Sequence, residues 1–503
     1  MKILFLHTTA FLPIQFGALL DEAEMKIREG HDVYFGFCNG ASNFCTQNLT
    51  GKKSNCGLCK WTTKHALRNL SKGVHLLPIS DYYDKSDSFV EYPLHCIEDL
   101  ISVEYKKVKI GYSVLSTYIS ATRNNDPVFD ETFVSYVNNL LNISRRFTDA
   151  YERILDSINP DLVCLFNGRF LEFRPAFELP LTRGIDVKCF EVFGDHGQDG
   201  FKLCYDNCMP HSIDGNIRKI LDLWNLDNEP KEDKIRIGSS FFQNRRHAKP
   251  AGDKIYTCNQ KEGLLPSNWD ESKRNFVIFN SSEDEYTAIG DEYSSLDFFN
   301  SQLEGIKTIL SMSAEHKDIH YYLRIHPNLS EIKYSYHTDL LKLDTEFDNI
   351  TIIPGSDKIS TYELMEKSEK VIVFGSTMGL ESAFWNKPVI NLAGTVYAKS
   401  DMCYMPKDME HLKSLLFDKL QPRDNLFSIQ YGYFMMHRDD ADRYKFIDFN
   451  YRSFRLGNYD LYKINYQKTL GSRRLFAIEQ KIVGHYYSVI DKSEPVSIPI
   501  KGK

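Results

Sequence analysis

The stretch Val371-Ile372-Val373-Phe374-Gly375-Ser376-Thr377-Met378-Gly379-Leu380-Glu381 runs from an apolar segment through a glycine turn into a helical pattern. A helix start carries unsatisfied N–H groups and the positive end of the helix dipole, so Gly375 with the hydroxyls of Ser376 and Thr377 suits a phosphate. Thr377 and Glu381 are four apart and share a helix face, from which Glu381 could accept hydrogen bonds from ribose hydroxyls. The plainer reading makes Ser376 a helix cap and Glu381 a solvated residue.

A second candidate is Leu323-Arg324-Ile325-His326-Pro327-Asn328. Side chains alternate along a strand, so Arg324 and His326 project from one face where Pro327 ends it, and together they could neutralise a diphosphate or assist a leaving group. The acidic run Asn280-Ser281-Ser282-Glu283-Asp284-Glu285 follows another strand, and Asp284 and Glu285 could bind sugar hydroxyls, hold a cation or serve catalysis. Earlier in the chain, Asn167 and Arg169 follow one strand, and Glu191, Asp195 and His196 end the next, with His7 at the end of the first. Glu191, Asp195 or His196 could act as general base toward an acceptor hydroxyl if partly desolvated. Each of these residues also has an ordinary structural reading.

Cys38, Cys45, Cys56 and Cys59 fall in one polar insertion with spacings x6, x10 and x2, and Cys56-Gly57-Leu58-Cys59 has the spacing of zinc knuckles. A structural zinc site and four reduced thiols are both open on this pattern. Cys204, Cys208 and His211 form a weaker set. The basic cluster from Gln243 to Lys249 could touch donor phosphate or anionic lipid, or simply be a solvated charge run.

The elements that must position these residues are legible from periodicity. Lys2 to His7, a helix over Phe16 to Arg28 stopped by Gly30, and Asp32 to Phe37 make a βαβ unit. Asn39 to Thr63 is an insertion, and a helical region to about Ile158 decorates the domain. Alternation returns at Asp161 to Phe166, in a helix near Pro175 to Arg183, and at Asp186 to Phe193. Asp227 to Arg274 has the polar composition of a linker. A second series follows, with strands at Asn275 to Phe279, His320 to Ile325, Ile350 to Ile353, Lys370 to Phe374 and Val389 to Leu392. The expected fold is α/β with two parallel sheets: a first domain over 1–255 with insertions at 38–63 and about 84–158, a second over 256–422, and an extension over 423–503 packing across both. Ligands should bind in the cleft outside the strand carboxyl ends.

The 503 residues exceed what one small core needs, and 42% apolar with 26% charged residues is the composition of a globular protein. A net charge of −7 gives no overall positive field for nucleic acid. No apolar run reaches bilayer length, the apolar start is too short for a signal peptide, and the odd count of 11 cysteines suits a reducing compartment, so a cytoplasmic protein is expected.

Gly30-His31-Asp32-Val33 resembles an opening motif of GT-B glycosyltransferases. Phe166 to Arg169, the loop from Asn280 to Glu285, Arg324-x-His326-Pro327-Asn328, and Phe374 to Glu381 continuing to Trp385-x-Lys387-Pro388 are together similar to bacterial capsule and surface-polysaccharide biosynthesis proteins. Their second domain is related to capsule Kdo transferases and, distantly, to teichoic-acid polymerases. The resemblance runs from about residue 1 to 400 and implies two facing Rossmann-like domains, with the acceptor on the first and an activated sugar on the second. It places Arg324 and His326 at the donor phosphates, Ser376 and Thr377 beside them, and Glu381 at the ribose or sugar. Where an H-E-R-G-like strand end is expected, Phe190-Glu191-Val192-Phe193-Gly194 keeps Glu191 and lacks the Arg.

The implied activity is metal-independent transfer from a nucleotide sugar to a capsule or lipopolysaccharide O-chain acceptor, an oligosaccharide or lipid-linked glycan. No cofactor would be required, and peripheral association with the inner face of the membrane would follow from a lipid-linked acceptor. A UDP-sugar 2-epimerase, a CDP-glycerol phosphotransferase-like enzyme and a non-catalytic assembly scaffold are the alternatives.

Overall fold

The computed structural model describes residues 1–193, 201–249, 251, 255–437, 444–450, 453–457, 459–460, 472–491 and 495–500. The chain divides into two compact units, one of Met1–Thr122, Pro127–Pro210 and Asp439–Lys501, the other of Arg123–Asp126, His211–Arg438 and Gly502–Lys503.

The first unit is built on β1 (Lys2–His7), β2 (Asp32–Phe37), β3 (His75–Pro78), β4 (Leu162–Phe166), β5 (Asp186–Phe193) and β6 (Phe201–Asp206). Their order is β3-β2-β1-β4-β5-β6, parallel except for β6, which runs antiparallel to β5. The helix Pro13–Arg28 joins β1 to β2. It starts on a proline, whose missing N–H has no helical partner at that position, and stops at Gly30, whose φ of +84° favours glycine. The edge strands β3 and β6 escape periodicity, because a four-residue edge and an antiparallel return carry little apolar pattern. The helical region is no decoration. Its long helix, Glu131–Ile158, is capped by Asp130 and buries Phe133, Val137, Leu140, Leu141, Phe147 and Tyr151. Asn138 and Asn142 on this helix bind the backbone N–H and C=O of Tyr92 and Val90, fixing the segment ahead of it.

The second unit holds β7 (Arg274–Phe279), β8 (Ile319–Arg324), β9 (Ile350–Ile353), β10 (Lys370–Val373) and β11 (Val389–Asn391), all parallel, in the order β11-β10-β7-β8-β9. Phe276, Ile278, Tyr321, Leu323, Ile372 and Ile390 form its core against Ile306, Ile309 and Leu310 of the helix Gln302–Met312. These strands fall within a residue or so of the expected runs, since fully buried parallel strands read as continuous apolar segments. Both sheets have the doubly wound order in which the first strand is central and the chain then switches sides, so two Rossmann-like domains are present.

The domain boundary differs from the expected one near residue 255, falling at Pro210 and His211. The helices Ile213–Leu226 and Lys231–Arg246 belong to the second unit, as does Leu426–His437 of the expected extension. The reason is close helix packing. A Cβ on Gly238 would lie 2.3 Å from the Ile429 carbonyl oxygen, and one on Gly432 would lie 2.3 Å from that of Gly238. Ser428 donates to the Leu380 carbonyl and Tyr433 to Asp227, tying the helix Leu426–His437 into the unit. The rest of the extension groups with the first unit, where the ring of Tyr487 on the helix Ser472–Ile490 covers Gly57. A polar segment was expected to be a linker because its helices bury only narrow stripes. Among the described residues no helix is long and apolar enough to cross a membrane.

Gly238→Ala should destabilise the second unit by about 1–3 kcal/mol, the usual cost of overpacking. Urea unfolding of the variant checks this, and an unchanged midpoint would remove the close contact from the account.

Candidate functional site

In the second sheet Phe279 pairs with Arg324 on one side and with Val373 on the other, so β8, β7 and β10 end level. The junction of β7 and β10 is the point where strand order reverses, the place at which α/β sheets bind ligands. The loops there are fastened to one another. Asn280 Oδ1 accepts the His326 N–H at 2.8 Å, the Ser281 hydroxyl donates to the Phe374 carbonyl, and the Gly375 N–H donates to Asn391 Oδ1 at 3.3 Å. Gly375 has φ +73°, which only glycine adopts without strain.

Arg324, His326, Ser376, Thr377 and Glu381 line one pocket at this edge, and Asn280 forms part of its wall. Arg324 is 4% exposed, and its guanidinium donates only to the carbonyls of Pro354, at 3.1 Å, and Asp357, at 2.9 Å. Its Nε has no hydrogen-bond partner, and among the described residues it forms no ion pair. Burial lowers its pKa to about 10, opposed in part by the charge of Asp357, which lies nearby without forming an ion pair. His326 Nδ1 accepts the Asn328 N–H at 3.2 Å, so a neutral ring carries its proton on Nε2. Its ring packs edge-on to Tyr256 at 5.2 Å between centroids.

Ser376 is buried, and its Oγ accepts the Met378 N–H at 3.3 Å, so it does the capping expected of a plain structural serine while still facing the pocket. Thr377 makes no side-chain cap and is exposed in the pocket. Glu381 is not solvated. It is 2% exposed, pairs with Arg245 Nε at 3.0 Å and accepts the Tyr362 hydroxyl. Arg245 and Tyr362 also line the pocket. The basic cluster is therefore no solvated charge run: Arg245 is buried, and Arg246 pairs with Glu366 over the Trp385 ring. Spacing alone could not locate Arg245, because its partner is 136 residues away.

The acidic loop departs from expectation. Asp284 and Glu285 do not line the pocket. Asp284 is neutralised by Arg123 at 2.6 Å and accepts the Ser282 hydroxyl at 2.7 Å, so it is no free base, and Glu285 accepts from Asn328 Nδ2 at 2.9 Å. The unusual carboxyl in this loop is its neighbour Glu283, which accepts the Gln302 N–H at 2.7 Å and is pushed by burial up to about 7.

In the first unit the structure brings Asn167 and Glu191 together, with Asn167 Nδ2 donating to Glu191 Oε2 at 2.8 Å. Asn167 and Gly168 both have positive φ, the turn that lifts the amide beyond β4 toward the end of β5. Burial raises the Glu191 pKa, while the Asn167 bond and the nearby Arg169 oppose it, which is the environment of a tunable base. The Arg169 guanidinium lies over the Phe170 ring. His7 is a correction: it is 1% exposed, stacked on Phe16, and lowered by burial to about 3, with a backbone contact from Thr9 opposing the shift. It is a neutral core residue. Asp195 and His196 lie outside the described residues.

Cys38, Cys45, Cys56 and Cys59 line one cavity at the carboxyl ends of β1 and β2. Among the described residues no group of three or more Cys, His, Asp or Glu is placed to hold a single metal ion, so the expected closed zinc site is not formed by these side chains as they stand.

Two Rossmann-like domains, the second carrying a polar pocket at a topological switch point, make up the fold and its candidate site. Residues 273–438 match the family of capsule polysaccharide biosynthesis proteins, the span that carries this pocket's three strand ends, so the resemblance read from the motifs holds there. The family match does not extend over 1–272. Among curated proteins none matches the sequence. Among solved structures, the β-Kdo 2,4 transferase KpsC of Thermosulfurimonas dismutans is similar at 11% identity and TM-score 0.34, covering 54% of this chain and 79% of its own. The UDP-GlcNAc 2-epimerase of Methanocaldococcus jannaschii, in complex with UDP-GlcNAc and UDP, is similar at 11% identity and TM-score 0.28, covering 86% and 98%.

Two outcomes follow from the electrostatics. Arg245→Met leaves the Glu381 carboxylate buried without its cation and should cost about 3–5 kcal/mol, read by denaturant unfolding. Glu283 has its folded pKa raised from 4.5 to about 7, so across that window the folded chain keeps a proton the unfolded chain has lost. Stability should fall as pH rises from 4.5 to 7, and Glu283→Gln should flatten that slope in melting curves. Parallel wild-type and variant curves would show that Glu283 is not the group responsible.

Proposed function

We propose that the chain is a glycosyltransferase of capsule or related surface-polysaccharide synthesis, taking its sugar from a nucleotide-sugar donor bound in the second unit. The observation that carries this reading is the buried Arg324, in no ion pair among the described residues, beside His326, Ser376 and Thr377 in one pocket. A diphosphate supplies the missing negative charge, and charge-assisted bonds to a guanidinium are among the stronger ones.

Catalysis of sugar transfer needs the developing negative charge on the leaving nucleotide to be met as the glycosidic bond breaks. Arg324 brings a fixed cation, His326 a hydrogen-bond donor at Nε2, and Thr377 a hydroxyl, all preorganised before the reaction. Glu381, held by Arg245 and Tyr362, retains acceptor lone pairs for ribose or sugar hydroxyls. In this reading the protein's own cations take up the leaving-group charge and transfer continues in the presence of a chelator. Glu191, steadied by Asn167, is the base proposed for the acceptor hydroxyl, an oligosaccharide or lipid-linked glycan.

A thermal-shift panel of CMP, UDP, GDP and CDP with their sugar conjugates tests the donor. A ligand at 100 times its Kd stabilises by about 2.7 kcal/mol, and His326→Ala and Arg324→Ala should each reduce the shift, the latter by about 2–5 kcal/mol of binding. No shift from any nucleotide with folded wild-type protein would sink the proposal. Interconversion of the nucleotide sugar with no acceptor present would replace it with the epimerase reading.

A further inference from the structure

The first unit holds a large, open-mouthed cavity that the transferase reading leaves unassigned. Its volume is about 840 Å³, within the range of about 300–1,000 Å³ usual for small-ligand sites. Asn39 and Gly40, just beyond β2, and Ser80, just beyond β3, place it at the carboxyl edge of the sheet, where α/β folds bind ligands. The helix Lys53–Leu67 forms a second wall, and the end of the helix Ser472–Ile490 with Asp491 forms a third.

These walls are fastened to one another. Asn39 Nδ2 donates to Ser80 Oγ at 3.0 Å, joining the two strand exits. Asp491 Oδ2 accepts the Ser54 N–H at 2.6 Å, and the Val496 N–H donates to the Thr50 carbonyl at 2.9 Å, so the tail is tied to the segment that starts the helix Lys53–Leu67. Gly57 is what admits the second helix: a Cβ there would lie 2.4 Å from the Tyr487 ring, and that ring lines the cavity.

The charge in the cavity runs against that of the chain. Lys53, Lys60 and Lys85 line it against one carboxylate, Asp491, which the Ser54 N–H already engages, whereas the whole chain carries a net charge of −7. Lys53 and Lys60 lie two helical turns apart on the face that Gly57 shares, so a cation stands to either side of the position where Tyr487 packs. Among the described residues neither ammonium forms an ion pair or a hydrogen bond. Lys85 Nζ donates to the Gly40 carbonyl at 3.1 Å and keeps two further N–H donors. A cleft lined by one sign of charge concentrates ligands of the other sign.

The uncharged lining narrows the ligand to a sugar. The Asn43 side chain makes no hydrogen bond within the described residues, and its amide both donates to and accepts from hydroxyls. The Tyr487 ring offers an aromatic surface to the C–H side of a pyranose. We propose that this cavity binds an acidic oligosaccharide, with Lys53, Lys60 and Lys85 holding its carboxylate or phosphate groups. Resting on the transferase reading, that glycan is the acceptor chain, gripped away from its growing end. β2 and β5 are three strands apart, about 14 Å along the sheet edge, so Glu191 addresses one sugar while the lysines hold others.

The test is titration calorimetry of the full chain with trisialic acid, trigalacturonic acid and maltotriose phosphate, using maltotriose and inorganic phosphate as controls. At least one acidic trisaccharide should bind, more weakly as salt is raised, and neither control should match it. Lys53→Ala combined with Lys60→Ala should weaken binding about tenfold, while Lys60→Arg keeps it. If the double variant fails to fold, Lys85→Ala and the comparison with maltotriose decide. Folded wild-type protein that binds no acidic trisaccharide, equal binding of maltotriose, or affinity unchanged by the lysine substitutions would overturn the site, and phosphate binding as tightly would reduce it to a simple anion site. Nucleotide shifts in the second unit, measured on the same samples, report on the transferase reading separately. Acidic-sugar binding without them keeps the cavity and removes its acceptor role, and the shifts without acidic-sugar binding do the reverse.

Discussion

The parallel register of β8, β7 and β10 is the constraint on which the second unit's site depends. Because paired residues lie level, three loops leave the sheet at one height, and the reversal of strand order after β7 opens a gap between the loops that follow β7 and β10. Hydrogen bonds across that gap, from Ser281 to Phe374 and from His326 to Asn280, convert three flexible exits into one rigid rim. A register shift of one residue would turn Arg324 to the opposite face of its strand and His326 with it.

Two buried arginines on this rim illustrate how environment assigns roles. Arg245 meets Glu381 and is electrically complete, so its work is to hold that carboxylate in place. Arg324 hydrogen-bonds only to carbonyl oxygens, and the nearby Asp357 charge offsets its burial only in part. A buried, unneutralised cation costs stability unless something anionic arrives. The fold places that cost in the pocket that Ser376 and Thr377 also line.

The first unit repeats the scheme with different chemistry. Its sheet also gathers polar groups at strand ends: Asn167 and Glu191 beyond β4 and β5, and the cysteines beyond β1 and β2. Local backbone geometry shapes both places. Positive φ at Asn167 and Gly168 directs an amide at a carboxylate, and positive φ at Asn39 and Gly40 closes a turn in which the Ala41 N–H donates to the Cys38 carbonyl.

The amino-acid sequence by itself determined β1, β2, β4 and β5 of the first sheet and the five strands of the second, the glycine stops at Gly30 and Gly375, and the grouping of Arg324, His326, Ser376 and Thr377 at strand ends. These are short-range properties, set by apolar runs, turn residues and the alternation of side chains along a strand. Tertiary structure alone decided which candidates stand in a site. Glu381 became a buried partner of Arg245, Asp284 was neutralised by Arg123, and His7 was enclosed in the core, because partners come from residues far away in the chain. The unit boundary was decided the same way, by contact between Gly238 and Gly432. Burial and pairing depend on what the rest of the chain brings near a residue, and local pattern carries no record of that.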